Sequence, residues 1–250
     1  MIHYDAIYLA PHLDDVALSC GAQIYDRTAA GESVLIVTLM AGDPPLVSLS
    51  PFAQALHTRW KLNADAVAAR REEDANACAV LGADYLHWNL LDCIYRQHPE
   101  TGAYLYTSDA DIFGDVHPGE QQLVHALAAR LAELPSHRVM VAPLAIGNHV
   151  DHQLTRRAAA HCFGAALSYY EDYPYVRWED VTARAIPATD THWQVQVIPV
   201  SAEGVAARIA AIAAFVSQVS TFFNGRIDLE TQIHAQINKS GGERIWQYHA

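Results

Sequence analysis

The amino-acid sequence predicts an α/β fold with a mostly parallel sheet flanked by helices. Segments typical of strands alternate with segments typical of helices through the first two thirds of the 250 residues, as in consecutive βα units. Residues 34–40 are apolar except for Thr38, which is the composition of a strand buried on both faces of a sheet. No internal repeat, low-complexity linker or clear boundary interrupts the chain, so we expect residues 1–250 to form a single domain.

The predicted elements follow this alternation. The apolar run at 7–10 is the first strand, and a helix over 15–30 follows it because Val16, Cys20 and Ile24 recur at helical spacing before Gly31. After the strand over 34–40, the same criteria predict a long, bent helix over 51–81, a strand over 85–88, a helix over 120–134, a strand over 138–142, a helix over 149–165 and a strand over 167–170. In the last third they predict a strand over 193–198 and helices over 202–219 and 227–237.

Composition and charge exclude several classes of protein. The formal net charge is -12, so the chain has no basic footprint for nucleic acid or for an anionic membrane surface. No apolar stretch reaches the roughly 20 residues of a membrane span. The N-terminal residues lack a basic region before the first strand, and the four cysteines form no CxxC pair. We therefore expect a cytoplasmic protein with reduced, buried thiols.

Two short segments far apart in sequence are dense in metal-type ligands. One is Pro11-His12-Leu13-Asp14-Asp15 after the first strand, and the other is His149-Val150-Asp151-His152 after the strand over 138–142. In an open α/β sheet, ligands bind at the carboxyl ends of strands, so the two segments can meet in one site. Two His and a carboxylate with an open fourth position are the ligands of a hydrolytic zinc centre.

Individual residues of these segments leave alternatives open. Asp14 and Asp15 point in different directions at a helix start, so one can bind a metal while the other faces the substrate, or both can simply cap the helix. His149 and His152 share a helical face at i, i+3, although such a pair is also common on protein surfaces. Asp151 can support one of the two histidines from behind.

The two segments together resemble the LmbE-like, or PIG-L, zinc-dependent N-acetyl-sugar deacetylases, whose hallmarks are a PHxDD and an HxDH segment. Weaker similarities extend over nearly the whole chain, at residues 70–73, 77, 81–82, 92, 170–175, 217–218 and 242–246. The resemblance implies a Rossmann-like sheet with the metal site at the carboxyl ends of its strands. It also implies hydrolysis of an N-acetyl or other short acyl amide on an amino sugar or related glycoside.

The resemblance also assigns roles within the two segments. It implies His12, Asp15 and His152 as zinc ligands, Asp14 as the general base and His149 as the group facing the oxyanion. We expect His149 to work best when protonated, a form that Asp151 would favour.

The chain departs from the family at two positions. Val16 stands where the family often has Glu, which affects the subgroup but not the chemistry. Gly147 stands where some members carry a Tyr thought to polarise the carbonyl, so that assistance is absent or comes from elsewhere.

Substrate contacts are less specific in the sequence. Arg70 could hold a sugar hydroxyl or a phosphate, or could be a solvated helix charge. Asp92 and Asp43 follow strands at the same edge and could bind hydroxyls or shape turns. The segment over 90–119 is irregular and aromatic, and at about 30 residues it is long for a structureless loop, so we expect it to govern specificity. Its aromatic residues could stack on a sugar or pack internally: Tyr95, Tyr104, Tyr106 and Phe113.

Rival functions remain at this level. The chain could hydrolyse an amide in a thiol conjugate, or it could bind metal as an inactive scaffold. A nucleotide-binding enzyme is disfavoured because no GxGxxG turn follows the first strand. The sequence leaves open the exact substrate, the native divalent metal and whether the protein is a homo-oligomer.

Overall fold

The strands form one mixed sheet in a computed structural model that describes residues 2–44, 49–60, 66–178 and 180–249. Over these residues the sheet has seven strands: β1 His3–Ala10, β2 Val34–Thr38, β3 Asp84–His87, β4 Ser136–Pro143, β5 Leu167–Tyr170, β6 Trp193–Ile198 and β7 Glu243–Tyr248. The helices are α1 Asp15–Ala29, α2 Pro51–Trp60, α3 Ala66–Leu81, α4 Asp109–Ile112, α5 Gln121–Leu131, α6 Val150–Phe163, α7 Val181–Ala185, α8 Ala202–Ala214, α9 Val216–Phe222 and α10 Arg226–Ser240.

The strand order is β3-β2-β1-β4-β5-β7-β6. Strands β1 to β5 pair in parallel, whereas β7 runs antiparallel to both β5 and β6. The predicted α/β fold with a mostly parallel sheet is therefore confirmed. The chain builds outward from β1 to β3 and then returns to add β4 beside β1. Such a reversal of strand order opens a crevice at the carboxyl ends of the two central strands.

Helices cover both faces of the sheet because its central strands are apolar on both sides. On one face, α1, α3 and α8 pack over Ala6, Tyr8 and Ile36. On the other face, α5 and α6 pack over Ile7, Leu9 and other residues of the central strands. The parallel strands thus lie between two layers of helices, and only their ends and loops are left to form a site.

Two predicted helices differ from the observed ones. The helix predicted over 51–81 is described as α2 and α3, and residues 61–65 between them lie outside the described part of the chain. The helix predicted over 202–219 is divided at Phe215 into α8 and α9, which are bent by 106°. The carboxylate of Glu73 accepts the Ser217 N–H at 2.8 Å and the Ser217 hydroxyl at 2.6 Å, so it satisfies the start of a second helix.

Among the described helices, none alone has both the length and the apolar composition needed to cross a membrane. The pair α8 and α9 meets that criterion jointly, by length and composition only, across its bend.

The long segment over 90–119 is largely ordered by its own packing. It contains a 3₁₀ turn at Cys93–Tyr95 and the short helix α4, and its apolar side chains form a small core with α2. The ring of Tyr95 is buried, with its hydroxyl 2.5 Å from His57 Nε2. Tyr106 is also buried and donates to Glu120 Oε2 at 2.5 Å. Of the two alternatives for these tyrosines, the structure shows internal packing.

Candidate metal centre

The two ligand-rich segments meet at the carboxyl ends of the neighbouring strands β1 and β4. His12 follows β1 by two residues, and His149 and His152 lie at the start of α6 beyond β4. The ring centroid of His12 is 4.9 Å from that of His149 and 5.4 Å from that of His152. Residues separated by well over a hundred positions are therefore in contact, as the parallel pairing of β1 with β4 requires.

Asp15 completes a set of donors with the spacing of a metal site. Its Oδ2 lies 3.3 Å from His12 Nδ1 and 3.3 Å from His152 Nε2. Ligand atoms of a tetrahedral zinc site, with bonds of about 2.0–2.1 Å, are about 3.3–3.4 Å apart. The three side chains are largely buried and supply two imidazoles and a carboxylate. The donor set and its spacing therefore fit a divalent metal of the zinc type.

Other combinations of nearby donors fit less well. One ring nitrogen each from His12, His149 and His152 also lie within 4.8 Å of one another. Cys93 lies near His149 and Asp151, but burial raises the pKa of its thiol well above the usual value, so a thiolate is disfavoured there. We favour the set with Asp15 because Asp15 Oδ2 lies 3.3 Å from a ring nitrogen of each of the other two members, His12 and His152.

Carboxylates behind the two histidines orient their rings. Asp151 Oδ2 lies 2.9 Å from His12 Nε2, and Asp172 Oδ1 lies 2.5 Å from His152 Nδ1. In neutral rings these bonds keep the proton on the nitrogen that faces the carboxylate, which is Nε2 in His12 and Nδ1 in His152. The other nitrogens, His12 Nδ1 and His152 Nε2, are then free to bind a metal. Asp172 was missed as a site residue in the sequence. It lies two residues beyond β5, so the rule that points to strand ends could have identified it.

A buried ionic network continues from Asp151 into the long segment over 90–119. Arg96 Nη1 donates to Asp151 Oδ1 at 2.5 Å, and its other nitrogens bond Glu120, with Nη2 3.1 Å from Oε2. Cys93 N–H donates to Asp151 Oδ2 at 3.0 Å. The carboxylate that orients His12 is thus itself fixed by that segment. Sequence reasoning missed Arg96 and Glu120, since nothing local indicates that a loop arginine turns inward.

The electrostatics of the ligand set favour an exchange of protons for metal. Burial alone would lower the pKa of His152, but Asp15 and Asp172 outweigh it and raise the pKa to about 9. Burial likewise opposes protonation of His12, yet Asp92, Asp15 and Asp151 raise its pKa well above the usual value. Burial would raise the pKa of Asp15, and the two histidines hold it well below its usual range. A metal that binds here must therefore displace protons from the histidines.

Asp14 lies beside the ligand set with a pKa suited to proton transfer. Burial raises the pKa of its carboxyl to about 7, Arg70 opposes the shift and Asp15 adds to it. Its φ of 121° is rare for a residue other than glycine, and such strain is tolerated mainly at functional sites. Arg70 donates to Leu13 O at 2.8 Å and lies 3.5 Å from Asp14 Oδ2. Arg70 thus contacts Asp14 and is buried, so it is not a solvated helix charge, and its Nε–H has no partner among the described residues. Its contact with substrate stays a prediction.

The structure does not favour a protonated His149. Asp151 N–H donates to His149 Nδ1 at 3.3 Å, and the carboxylate of Asp151 contacts His12 and Arg96 instead of His149. Burial, and then the neighbouring His12, lower the pKa of His149 well below its usual value. With Nδ1 as an acceptor, the neutral ring carries its proton on Nε2 and can donate one hydrogen bond there.

Of the two other residues predicted to contact substrate, Asp92 lies in the site and Asp43 lies outside it. Asp92 Oδ2 lies 3.8 Å from His12 Nε2, while its Oδ1 accepts the Ile94 N–H at 3.2 Å. Asp43 has a side chain that is 69% exposed, and it forms an ion pair with Arg71 at 2.9 Å. The structure thus brings Asp92 to the cluster, whereas Asp43 takes part in a surface ion pair.

Tyr175 fills the space next to Gly147. A Cβ on Gly147, whose φ is 92°, would lie 2.5 Å from Tyr175 Cγ. The Tyr175 ring makes edge contacts with His152 and Phe113, each with ring centroids 5.9 Å apart. Burial, followed by the charge of Asp15, raises the pKa of the phenol well above its usual value, so its hydroxyl stays protonated. Glycine at 147 therefore allows an aromatic ring from a distant segment to close this wall of the site.

Comparison with known proteins agrees with this geometry. The PIG-L family, described as GlcNAc-PI de-N-acetylase, matches residues 7–163, which is more than half of the chain. The chain is 26% identical over 186 residues to a 2'-N-acetylparomamine deacetylase of Niallia circulans and 27% identical over 180 residues to one of Streptomyces fradiae. These matches cover 68% and 70% of the chain, but only 66% and 58% of the length of those relatives.

The fold is also similar to that of a solved deacetylase. The zinc-inhibited form of the teicoplanin deacetylase Orf2 superposes with a TM-score of 0.80 at 28% identity, over 98% of this chain and 97% of that chain. The family match includes both segments that form the candidate metal centre, His12 to Asp15 and His149 to His152. The chain therefore belongs to the PIG-L family.

Proposed function

We propose that this protein is a metal-dependent hydrolase that removes an N-acetyl or other short acyl group from an amino sugar or a related glycoside. The observation that carries the proposal is the buried set of His12, Asp15 and His152, with Asp15 Oδ2 3.3 Å from both histidines and Asp14 beside it. The similar proteins named above are deacetylases of N-acetylparomamine and of teicoplanin, which supports an N-acylated sugar as the substrate class.

Zinc is the metal that the two-imidazole, one-carboxylate set suits best. When bound there, it would act as a Lewis acid on the acyl oxygen and make a nearby water more acidic. The similar teicoplanin deacetylase has a zinc-inhibited form, so the metal that supports turnover has to be measured for this chain. Iron and other divalent ions are the alternatives to be compared.

The side chains around the ligand set supply proton transfer and hydrogen bonding. Asp14, which lies next to the ligand Asp15 in the chain, takes a proton from the attacking water and returns it to the departing amine. His149 donates its Nε2–H to the acyl oxygen as negative charge develops on it. Arg70 orients the Asp14 carboxylate through its contacts with Leu13 O and Asp14 Oδ2.

A panel assay tests the proposal directly. Acetate release is measured from N-acetylglucosamine, N-acetylated aminoglycosides, glycopeptides and N-acylated thiol conjugates, with zinc, iron and other divalent metals supplied separately. We expect turnover on at least one N-acyl sugar, and its loss in Asp14→Asn. Turnover only on a thiol conjugate would replace the sugar with that class. Metal binding without turnover on any substrate would identify a metal-binding scaffold instead of an enzyme.

A further inference from the structure

A cavity of about 780 Å³ lies next to the candidate metal centre. One of its walls is the helix α6, and the others come from residues 145–148, from Phe113 and from residues between 178 and 185. Phe113, Gly147 and Trp178 are among the residues that line the cavity, and Gly147 precedes His149 by two residues in the chain. The Phe113 ring is also 5.4 Å from the His149 ring, so one side chain borders both the cavity and the cluster. A volume of this size is typical of a small-molecule site, and its place suggests room for the part of a substrate beyond the acyl amide.

Two arginines on α6, Arg156 and Arg157, give this cavity a positive wall. Arg156 Nη1 donates to Leu144 O at 2.7 Å, and its guanidinium lies over the rings of Tyr169 and Trp193. Arg157 Nη2 donates to a neutral partner, the side chain of Gln153, at 3.0 Å. Within the described part of the chain, neither arginine has a carboxylate at ion-pair distance. By contrast, Arg70 and Arg96 at the metal centre are each paired with one.

The neutral donors along the same wall are already used within the protein. The Asn148 amide donates to Phe113 O and Gly114 O, and the Gln153 amide donates to Gly114 O and Asn148 O. The remaining N–H groups of Arg156 and Arg157 are therefore the side-chain donors on this wall that can bind a ligand. Planar guanidinium groups match the geometry of carboxylate and phosphate oxygens, so two arginines on one wall without a carboxylate partner among the described residues suit an anionic ligand.

We propose that this cavity is a subsite for an anionic group, a carboxylate or a phosphate ester, carried by the substrate beyond its N-acyl sugar. The inference rests on the proposed function, because the cavity serves a substrate only if the metal centre is the place of reaction. It extends that function by requiring preference for acidic glycosides over neutral ones.

The test compares matched substrates that differ in charge: N-acetylglucosamine, N-acetylglucosamine 1-phosphate, N-acetylglucosamine 6-phosphate and N-acetylmuramic acid. The phosphate esters and the carboxylate separate the two sources of the anion. We expect kcat/KM for at least one anionic substrate to exceed that for the neutral sugar by about tenfold or more, the effect of one charged hydrogen bond. Arg157→Gln and the double variant Arg156→Gln/Arg157→Gln should remove most of that preference, mainly through KM. Equal kcat/KM for neutral and anionic substrates would overturn the proposal, as would an equal loss for both kinds in the variants.

Controls separate charge and folding from recognition. Arg226→Gln removes the same charge from an exposed i,i+4 ion pair with Glu230 on α10 and should leave the preference unchanged. Thermal unfolding checks each variant. Because Arg156 packs against two aromatic rings, the exposed Arg157→Gln carries the test if the double variant does not fold.

A binding arm distinguishes failure of the subsite from failure of the proposed function. If acetate is released from no substrate, the proposed function fails, but titration calorimetry with glucose 1-phosphate and N-acetylmuramic acid still tests the cavity. Binding that weakens with salt and is lost in Arg157→Gln would support the anionic subsite. No binding, or binding that Arg157→Gln leaves unchanged, would overturn it.

Discussion

Replacing Asp172 with Asn should weaken metal binding without unfolding the protein. Asp172 Oδ1 lies 2.5 Å from His152 Nδ1, and its Oδ2 accepts the Ile146 N–H at 2.9 Å. The Asn side chain has nearly the same shape and can keep the bond to Ile146, but it lacks the charge that holds the proton on His152 Nδ1. Partners of this kind typically contribute about 10–100-fold to metal affinity, so we expect a loss of about 1.4–2.7 kcal/mol.

The assay is competition for zinc between the protein and a chelating dye, with thermal unfolding as the check on folding. Glu171→Gln is the matched control, since it removes the same charge one residue earlier. The Glu171 carboxylate contacts Trp246 Nε1 at 2.9 Å and Arg244 Nη1 at 3.2 Å. Zinc affinity of Asp172→Asn within about threefold of the wild type would refute the role assigned to Asp172, as would an equal loss in Glu171→Gln.

Three further predictions concern the same site. Asp14→Asn should keep its metal and lose about 10²–10⁴-fold in kcat, because the amide cannot accept a proton, and a near-native kcat would place the base elsewhere. Metal affinity should rise with pH toward 9: His152, with its pKa raised to about 9, holds its proton below that value, so binding at neutral pH releases a proton. Calorimetry in buffers of different ionisation enthalpy measures that release, and its absence would contradict the shift. Gly147→Ala should lower the free energy of unfolding by about 1–3 kcal/mol, because its Cβ would strike the Tyr175 ring from a left-handed backbone position, and an unchanged melting temperature would refute this account.

The sequence could predict the centre of the site because its main parts are local. His12, Asp14 and Asp15 follow directly after a recognisable strand, and His149 and His152 lie within one helical turn beyond another. The α/β alternation then predicts that both segments lie at one edge of a parallel sheet. No knowledge of side-chain packing was needed for that step.

The remaining parts of the site depend on contacts between distant segments. Asp172, Arg96 and Tyr175 become site residues only through the positions of β5, the segment over 90–119 and the backbone at Gly147. The division of α8 from α9 likewise depends on Glu73, more than a hundred residues earlier in the chain.

The charge state of His149 also escaped the sequence because it depends on burial and on a backbone donor. From the sequence we expected Asp151 to favour the protonated form of His149. Instead the Asp151 N–H caps the ring nitrogen, while its carboxylate turns toward His12 and Arg96. The contact between these two residues therefore joins the ring of His149 to the backbone of Asp151 and not to its carboxylate.

Metal content of the purified protein and of two ligand variants tests the central claim most directly. Elemental analysis should find about one divalent metal per chain in the wild type, and the His12→Ala and His152→Ala variants should each lose at least about tenfold in metal affinity. His234→Ala, which removes an exposed histidine from α10, is the matched control and should keep the metal. Full metal occupancy in both ligand variants would contradict the assignment of these two histidines, and with it the metal centre on which the proposed hydrolase activity depends.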